Sequence, residues 1–282
     1  MSAPASNGTA PLRIAIVTYE SLQSKLIVRA LLDAFPQAVV GVLASTVAIS
    51  GKRGWSAVWF ILRRTGLGFV VRKAVEIWLS RAAAWRDRLA PRPRALPALA
   101  AMANAAGIPY RGVDDVNGPE ARATLARWRP DLLVSVNCNQ RVTVATMALA
   151  RRGAINVHGA PLPKHRGLFP YFWVLADGEP ESGVTVHWMD ERFDTGDVIL
   201  RERFAVAPDD TVFSLSMKGA RAGATLLVRA IDLIADGSAT RVPQDDAASS
   251  YRSWPTPADV RRLRARGRRY GSVGEMWRVF RA

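Results

Sequence analysis

Cysteine is almost absent from the chain, and Cys138 is the only one. A lone thiol excludes an intrachain disulfide and a metal site built on thiolates, and it fits a reducing compartment. Lysine is scarce too: 34 of the 39 basic residues are arginine, and the net charge is +15. That excess is either a base-composition bias of the genome or a sign of polyanionic partners, and it says nothing about fold. No window holds the roughly 20 uninterrupted apolar residues of a membrane-crossing helix. Residues 1–11 lack the basic start and apolar core of a signal peptide and read as a disordered leader. The glycine fingerprint of a dinucleotide site is missing as well, since Tyr19-Glu20-Ser21 stands where it would follow the first strand.

What is present reads as one α/β domain. A hydrophobic content of 49% against 22% charged residues is ordinary for a globular chain of 282 residues, enough for one large core. Arg13 to Thr18 is a β-rich apolar run, Ser21 to Phe35 carries apolar residues at helical spacing, and Ala38 to Leu43 is a second strand. This opening predicts a doubly wound, mainly parallel sheet. Further helices are expected at Leu96 to Ala106, Pro119 to Trp128, Thr143 to Arg151 and Thr211 to Ala235, the last stopped by Asp236-Gly237. Strands are expected at Asp131 to Val136 and Gly153 to His158. The division that follows is a catalytic domain over 12–236, a basic helical insertion over 51–96 and a short extension over 237–282.

Residues 51–94 interrupt the α/β rhythm. They hold eleven basic and two acidic residues, with Trp55, Trp59, Trp78 and Trp85 among many aliphatics. The ordinary reading is a pair of amphipathic helices packed on the domain, arginines facing water. The alternative is a surface for an anionic membrane or another polyanion.

The chemistry concentrates between Asn156 and Asp197. Asn156-Val157-His158-Gly159 ends an apolar run, as a buried parallel strand does where it emerges from the sheet, and ligand sites of open α/β sheets lie at that end. A Pro161-Leu162-Pro163-Lys164-His165-Arg166-Gly167 loop and an Asp194-Thr195-Gly196-Asp197 turn follow. Imidazole, carboxamide and carboxylate are what an acyl-type transfer requires: a proton carrier near neutral pH, a neutral donor for a developing oxyanion, and an anion to orient the ring. His165 and His187 lack a third ligand at metal spacing and are expected to be structural or substrate-side, so no metal is expected. Cys138 is expected to pack.

On these residues, with Glu181-Ser182-Gly183-Val184-Thr185, the sequence resembles the folate-dependent formyltransferases. That family includes enzymes acting on methionyl-tRNA, glycinamide ribonucleotide and sugar nucleotides. The resemblance spans Asp131 to Asp210 well and the opening strands loosely, and its pattern is most similar to the formyltransferase half of the enzyme that modifies UDP-4-amino-4-deoxy-arabinose. It implies 10-formyltetrahydrofolate as co-substrate and a cytoplasmic enzyme. It implies that Asn156 holds the formyl oxygen, that His158 takes the amine proton, and that Asp194 orients His158 and raises its pKa. It implies a folate site at Gln140, Arg141 and Val142 and at Asp190, Glu191, Arg192, Phe193 and Asp194, and a cis peptide at Leu162-Pro163. Ala160-Pro161 departs from the family's Ser-Leu, and Leu168 from a frequent basic residue, so acceptor recognition is less defined than formyl transfer. The expected acceptor is the amine of a nucleotide-linked amino sugar; methionyl-tRNA is the alternative, as is water in a formyltetrahydrofolate hydrolase. Peripheral contact with the inner membrane face through 51–94 accompanies these expectations.

Overall fold

The first strand, β1 (Ile14–Tyr19), is buried on both faces, and its side chains divide between two cores. Ile14 and Ile16 join one cluster and Ala15 and Val17 the other, as successive residues on a pleated strand must. A strand covered on both sides belongs inside a parallel sheet with helices above and below. The computed structural model describes residues 12–47, 54–67 and 96–281, with positions 70, 71, 74, 75, 78 and 82 between them. The expected leader, 1–11, and much of the expected insertion lie outside the described residues.

Seven strands form the main sheet in the order β3-β2-β1-β4-β5-β7-β8. They are β2 (Val39–Ser45), β3 (Tyr110–Val113), β4 (Leu132–Val136), β5 (Ala154–His158), β7 (Glu181–Trp188) and β8 (Val198–Ala205) beside β1. Strands β1 to β5 run parallel, whereas β7 and β8 are antiparallel additions at the β5 edge. The larger core packs α1 (Leu22–Ala34), α3 (Leu99–Ala105) and the long α7 (Val212–Asp236) on one face. The smaller core packs α4 (Pro119–Trp128) and α5 (Val144–Met147) on the other. This is the doubly wound, mainly parallel sheet that the sequence predicts.

Helix ends follow local chemistry. Ser21 caps α1 by accepting from the Ser24 N–H, Thr211 opens α7 in a capping box with Ser214, and Gly237 closes α7 at φ +81°. The helix expected over Thr143 to Arg151 is one turn, Val144–Met147, followed by turns. Its last residues instead return the chain to the sheet, where the Arg152 N–H donates to the Asp131 carbonyl.

Three elements form the site side of the molecule: α6 (Pro170–Asp177), and the short strands β6 (Arg166–Gly167) and β9 (Tyr251–Arg252), which pair in parallel. The C-terminal residues add α8 (Pro257–Ala265) and α9 (Val273–Arg281). Leu263 packs into the core around Phe172 and Leu175, and Met276 packs with Phe213 and Met217.

Candidate active site

β5 is the last parallel strand of the sheet and ends in polar residues, and the switch to antiparallel pairing beside it brings β7 alongside. The register sets Asn156 opposite His187 and His158 opposite Thr185. Directly opposed residues on one sheet face touch, and the Asn156 Nδ2 lies 3.2 Å from His187 Nε2. The same amide nitrogen donates to Asp194 Oδ1 at 3.3 Å.

Asp194 comes from the turn joining β7 to β8 and adopts φ +56°, a left-handed conformation that aspartate tolerates better than most residues. Gly196 in that turn lies against the Trp188 carbonyl, so a Cβ there would collide with the backbone of β7. The other carboxylate oxygen of Asp194 accepts the Gly167 N–H at 2.8 Å and stands 3.5 Å from His158 Nδ1. Asn156, His158 and Asp194, separate in the sequence, thus meet in one cluster.

The tautomers follow from the partners. His158 Nε2 is 2.9 Å from the His165 carbonyl oxygen, which can only accept. The neutral ring therefore carries its proton on Nε2, and Nδ1, facing Asp194, is the nitrogen that takes one up. His187 Nδ1 is 2.7 Å from the Trp188 carbonyl, so its proton sits there and Nε2 accepts from Asn156. With His187 Nε2 and the Asp194 carboxylate both accepting, the NH2 end of the Asn156 amide must point into the cluster.

Burial pushes the His158 pKa down, further than Asp194 and the His165 carbonyl raise it, with His187 and His165 adding to the depression. Asp194 raises the His158 pKa as expected, but burial outweighs it and leaves the net shift downward. The ring has lost water on nearly every side, and desolvation of the cation outweighs one carboxylate at 3.5 Å. Burial acts on Asp194 in the opposite sense, yet His158, His187 and the Gly167 N–H more than reverse it and hold its carboxyl well below the usual carboxylate range. At neutral pH a neutral base therefore stands beside an ionised carboxylate.

The Pro161 to Gly167 loop is braced from both sides. Its Leu162-Pro163 peptide is cis, and the Thr185 hydroxyl accepts the Leu162 N–H and donates to the Ala160 carbonyl. His165 is buried at φ +57°, with Nε2 2.8 Å from Glu179 Oε1 and its N–H donating to the Ser250 hydroxyl. It contributes to the site through its backbone carbonyl. Gly167, at φ +97°, passes so close to the Arg252 carbonyl that no side chain fits.

The expected folate positions fall on two loops that the structure joins. The Arg141 guanidinium donates to the Glu191 carbonyl at 3.1 Å, linking 140–142 to 190–194. Gln140 and Val142 face inward: the Gln140 amide bonds Ser45, the Asp114 carbonyl and the Val116 N–H, and Val142 lies in the smaller core. Asp190 holds the turn by accepting from Thr195 and from the Arg192 N–H. Glu191 and Arg192 are exposed, and Phe193 is 44% exposed. The neighbouring Asn139 has a buried side-chain oxygen with no donor, while its amide donates to the Val47 carbonyl. Burial pushes the Cys138 thiol up to about 11, which leaves it inert, as expected of a packing residue.

Residues the sequence did not single out complete the arrangement. His187 was set aside for want of metal partners, although its pairing with Asn156 follows once β5 and β7 are adjacent. Gln244 donates to the Asp194 and Gly196 carbonyls, and its own oxygen accepts from the buried Arg166 guanidinium, which also pairs with Asp246. Nothing in the periodicity of 237–252 marks Gln244, because its partners lie 48 to 78 residues away.

Residues 83–231 match the family described as Formyl transferase. The chain belongs to the formyl transferase family. It is 34% identical over 174 residues to the methionyl-tRNA formyltransferase of Moorella thermoacetica, covering 58% of this chain and 56% of that protein. It is 40% identical over 166 residues to the corresponding enzyme of an Anaeromyxobacter species, covering 58% and 53%. The chain thus spans about half the length of these relatives. Among solved structures it resembles the N-formyltransferase of Helicobacter canadensis, in complex with folinic acid and dTDP-3-aminofucose (TM-score 0.56, 20% identity, 86% of this chain and 71% of that one). It also resembles the phosphoribosylglycinamide formyltransferase of Anaplasma phagocytophilum (TM-score 0.58, 17% identity, 85% and 96%). At these identities the structural likeness speaks for the fold.

Proposed function

We propose that this formyl transferase moves the formyl group of 10-formyltetrahydrofolate to the primary amine of a nucleotide-linked amino sugar, in the cytoplasm. The observation that carries the reading is the meeting of Asn156, a neutral His158 and an ionised Asp194 at the end of β5. In this scheme the amine nitrogen forms a bond to the formyl carbon, and the bond from that carbon to the folate nitrogen breaks. The Asn156 amide donates to the formyl oxygen as charge develops. Its bonds of 3.2 and 3.3 Å are long for N–H donors and readily exchanged for a charged acceptor. His158 Nδ1 receives the amine proton beside Asp194, which stabilises the imidazolium, and returns it to the departing folate nitrogen.

The two joined loops suit the donor. The unpartnered Asn139 oxygen is an acceptor of the kind that the amino and ring N–H groups of a pterin would satisfy, and Phe193 offers an open aromatic surface. Gln140 and Val142 then shape the folate loop from behind rather than touching the ligand. For the acceptor, the likeness to a structure holding an amino-sugar nucleotide supports the first reading. Methionyl-tRNA is the second, supported by the relatives of 34 to 40% identity.

The test is release of tetrahydrofolate from 10-formyltetrahydrofolate by the purified protein, without acceptor and with amino-sugar nucleotides, methionyl-tRNA and glycinamide ribonucleotide in turn. Turnover that requires an amino-sugar nucleotide is the expected result. Dependence on tRNA would select the second reading, and acceptor-free turnover would make the protein a hydrolase.

A further inference from the structure

α2 (Gly54–Thr65) turns Trp55, Val58 and Trp59 away from the protein. Trp55 is 86% exposed, Trp59 59% and Val58 39%, and spacings of three and four residues align them in one stripe. Leu67, Val71 and Trp78 continue the exposed apolar character. The other side of the helix is anchored: the Phe60 ring meets Trp254 edge-on at 6.1 Å, and Gly66 lies beside Pro257 at the start of α8. α2 is thus fixed to the protein while both of its tryptophans lie in water. Tryptophan side chains each offer 150–250 Å² of burial, so a face carrying two of them is built to be covered.

We propose that this face of α2 docks the protein on the surface of an anionic lipid bilayer. Charge identifies the occupant. Arg63 and Arg64 close the helix, Arg63 over Trp59 at 5.9 Å and Arg64 over Phe60 at 5.6 Å, and residues 51–94 carry eleven basic and two acidic side chains. Headgroup phosphates complement the guanidinium groups, and indole rings settle at the level where headgroups meet acyl chains. A nucleic acid would use the arginines but has no counterpart for Val58, Leu67 and Val71, whose aliphatic side chains neither stack on bases nor bond phosphate. A second copy of the chain would bring two strongly cationic faces together. The anchored side of α2 leads to the site: Trp254 also packs on Phe169 at 4.9 Å, two residues from the Gly167 that holds Asp194.

The experiment is co-sedimentation of the full chain with vesicles of phosphatidylcholine alone and of phosphatidylcholine with about a third phosphatidylglycerol, with tryptophan emission recorded in parallel. Partitioning at least about tenfold stronger to the anionic vesicles, a blue-shifted emission and weakening with salt are expected. Trp55→Ser with Trp59→Ser should lower partitioning about tenfold or more, and Arg63→Gln with Arg64→Gln should remove most of the preference for anionic lipid. Far-UV circular dichroism verifies that both pairs of substitutions leave the fold intact. Absence of binding to anionic vesicles, binding undiminished by the tryptophan substitutions, or a face that proves to bind tRNA or a second copy instead would each overturn the proposal. Vesicle binding is read without turnover, so the proposal and the formylation reading fail separately.

Discussion

The carboxyl end of β5 and the outer face of α2 break the usual partition of a protein in opposite directions. At β5, His158, His187 and Arg166 are withdrawn from water, and Asp194 nearly so; on α2, Trp55 and Trp59 are left in it. Buried polar groups and exposed apolar patches are the arrangements that stability alone does not produce. The two regions differ in how the cost is met. At β5 most of the buried polar atoms have a partner within the chain, so the cluster is complete and positioned without a ligand. On α2 the exposed stripe meets, among the described residues, the Arg63 guanidinium over Trp59, and covering the rest requires something outside the chain. The first arrangement suits chemistry, the second suits association.

If this contrast holds, substitutions at β5 cost activity and substitutions on α2 do not. His158→Ala should lower turnover by about two to four orders of magnitude, the range for loss of a general acid or base, with 10-formyltetrahydrofolate binding nearly unchanged by fluorescence titration. Asn156→Ala should lower kcat by about two to three orders, as loss of an oxyanion donor does. Gln244→Ala releases the Asp194 and Gly196 carbonyls and leaves Arg166 with Asp246 alone among the partners described. It should reduce stability to urea by about 1–3 kcal/mol, the cost of stranding buried polar groups, and turnover by about tenfold as the Asp194 turn loosens. Trp55→Ser with Trp59→Ser should leave turnover on a soluble acceptor within about twofold in vesicle-free solution, the smallest effect of the series. A large loss there would tie α2 to the chemistry and remove the contrast.

The same contrast explains what the sequence made legible. The parallel sheet was readable because β1, β2, β4 and β5 are short apolar runs whose periodicity is local, and the α7 stop was readable because Asp236-Gly237 is a local signal. The three residues of the central cluster were readable because their chemical types sit within 39 positions, Asn156 to Asp194, in a pattern that resembles a known family. His187 and Gln244 were not. Their roles arise from strand order and from a strap that returns to the site, and neither leaves a mark in local spacing. The depressed pKa of His158 was missed for the same reason: a neighbouring carboxylate can be guessed from sequence, but the desolvation that outweighs it comes from the whole fold. The exposure of Trp55 and Trp59 was also hidden, since an amphipathic pattern does not say which side of a helix is covered.

The central claim is that a neutral His158 beside an ionised Asp194 accepts the amine proton, and the pH dependence of single-turnover formyl transfer tests it most directly. Burial lowers the His158 pKa, so the base stays unprotonated below the ordinary imidazole value of 6.5, and the acid limb of the rate profile should lie beneath it. Asp194 raises the His158 pKa, so Asp194→Asn should move that limb to still lower pH while reducing the plateau, and His158→Ala should abolish the limb. A limb above 6.5, or one that His158→Ala leaves in place, would contradict the assignment of His158 as the base.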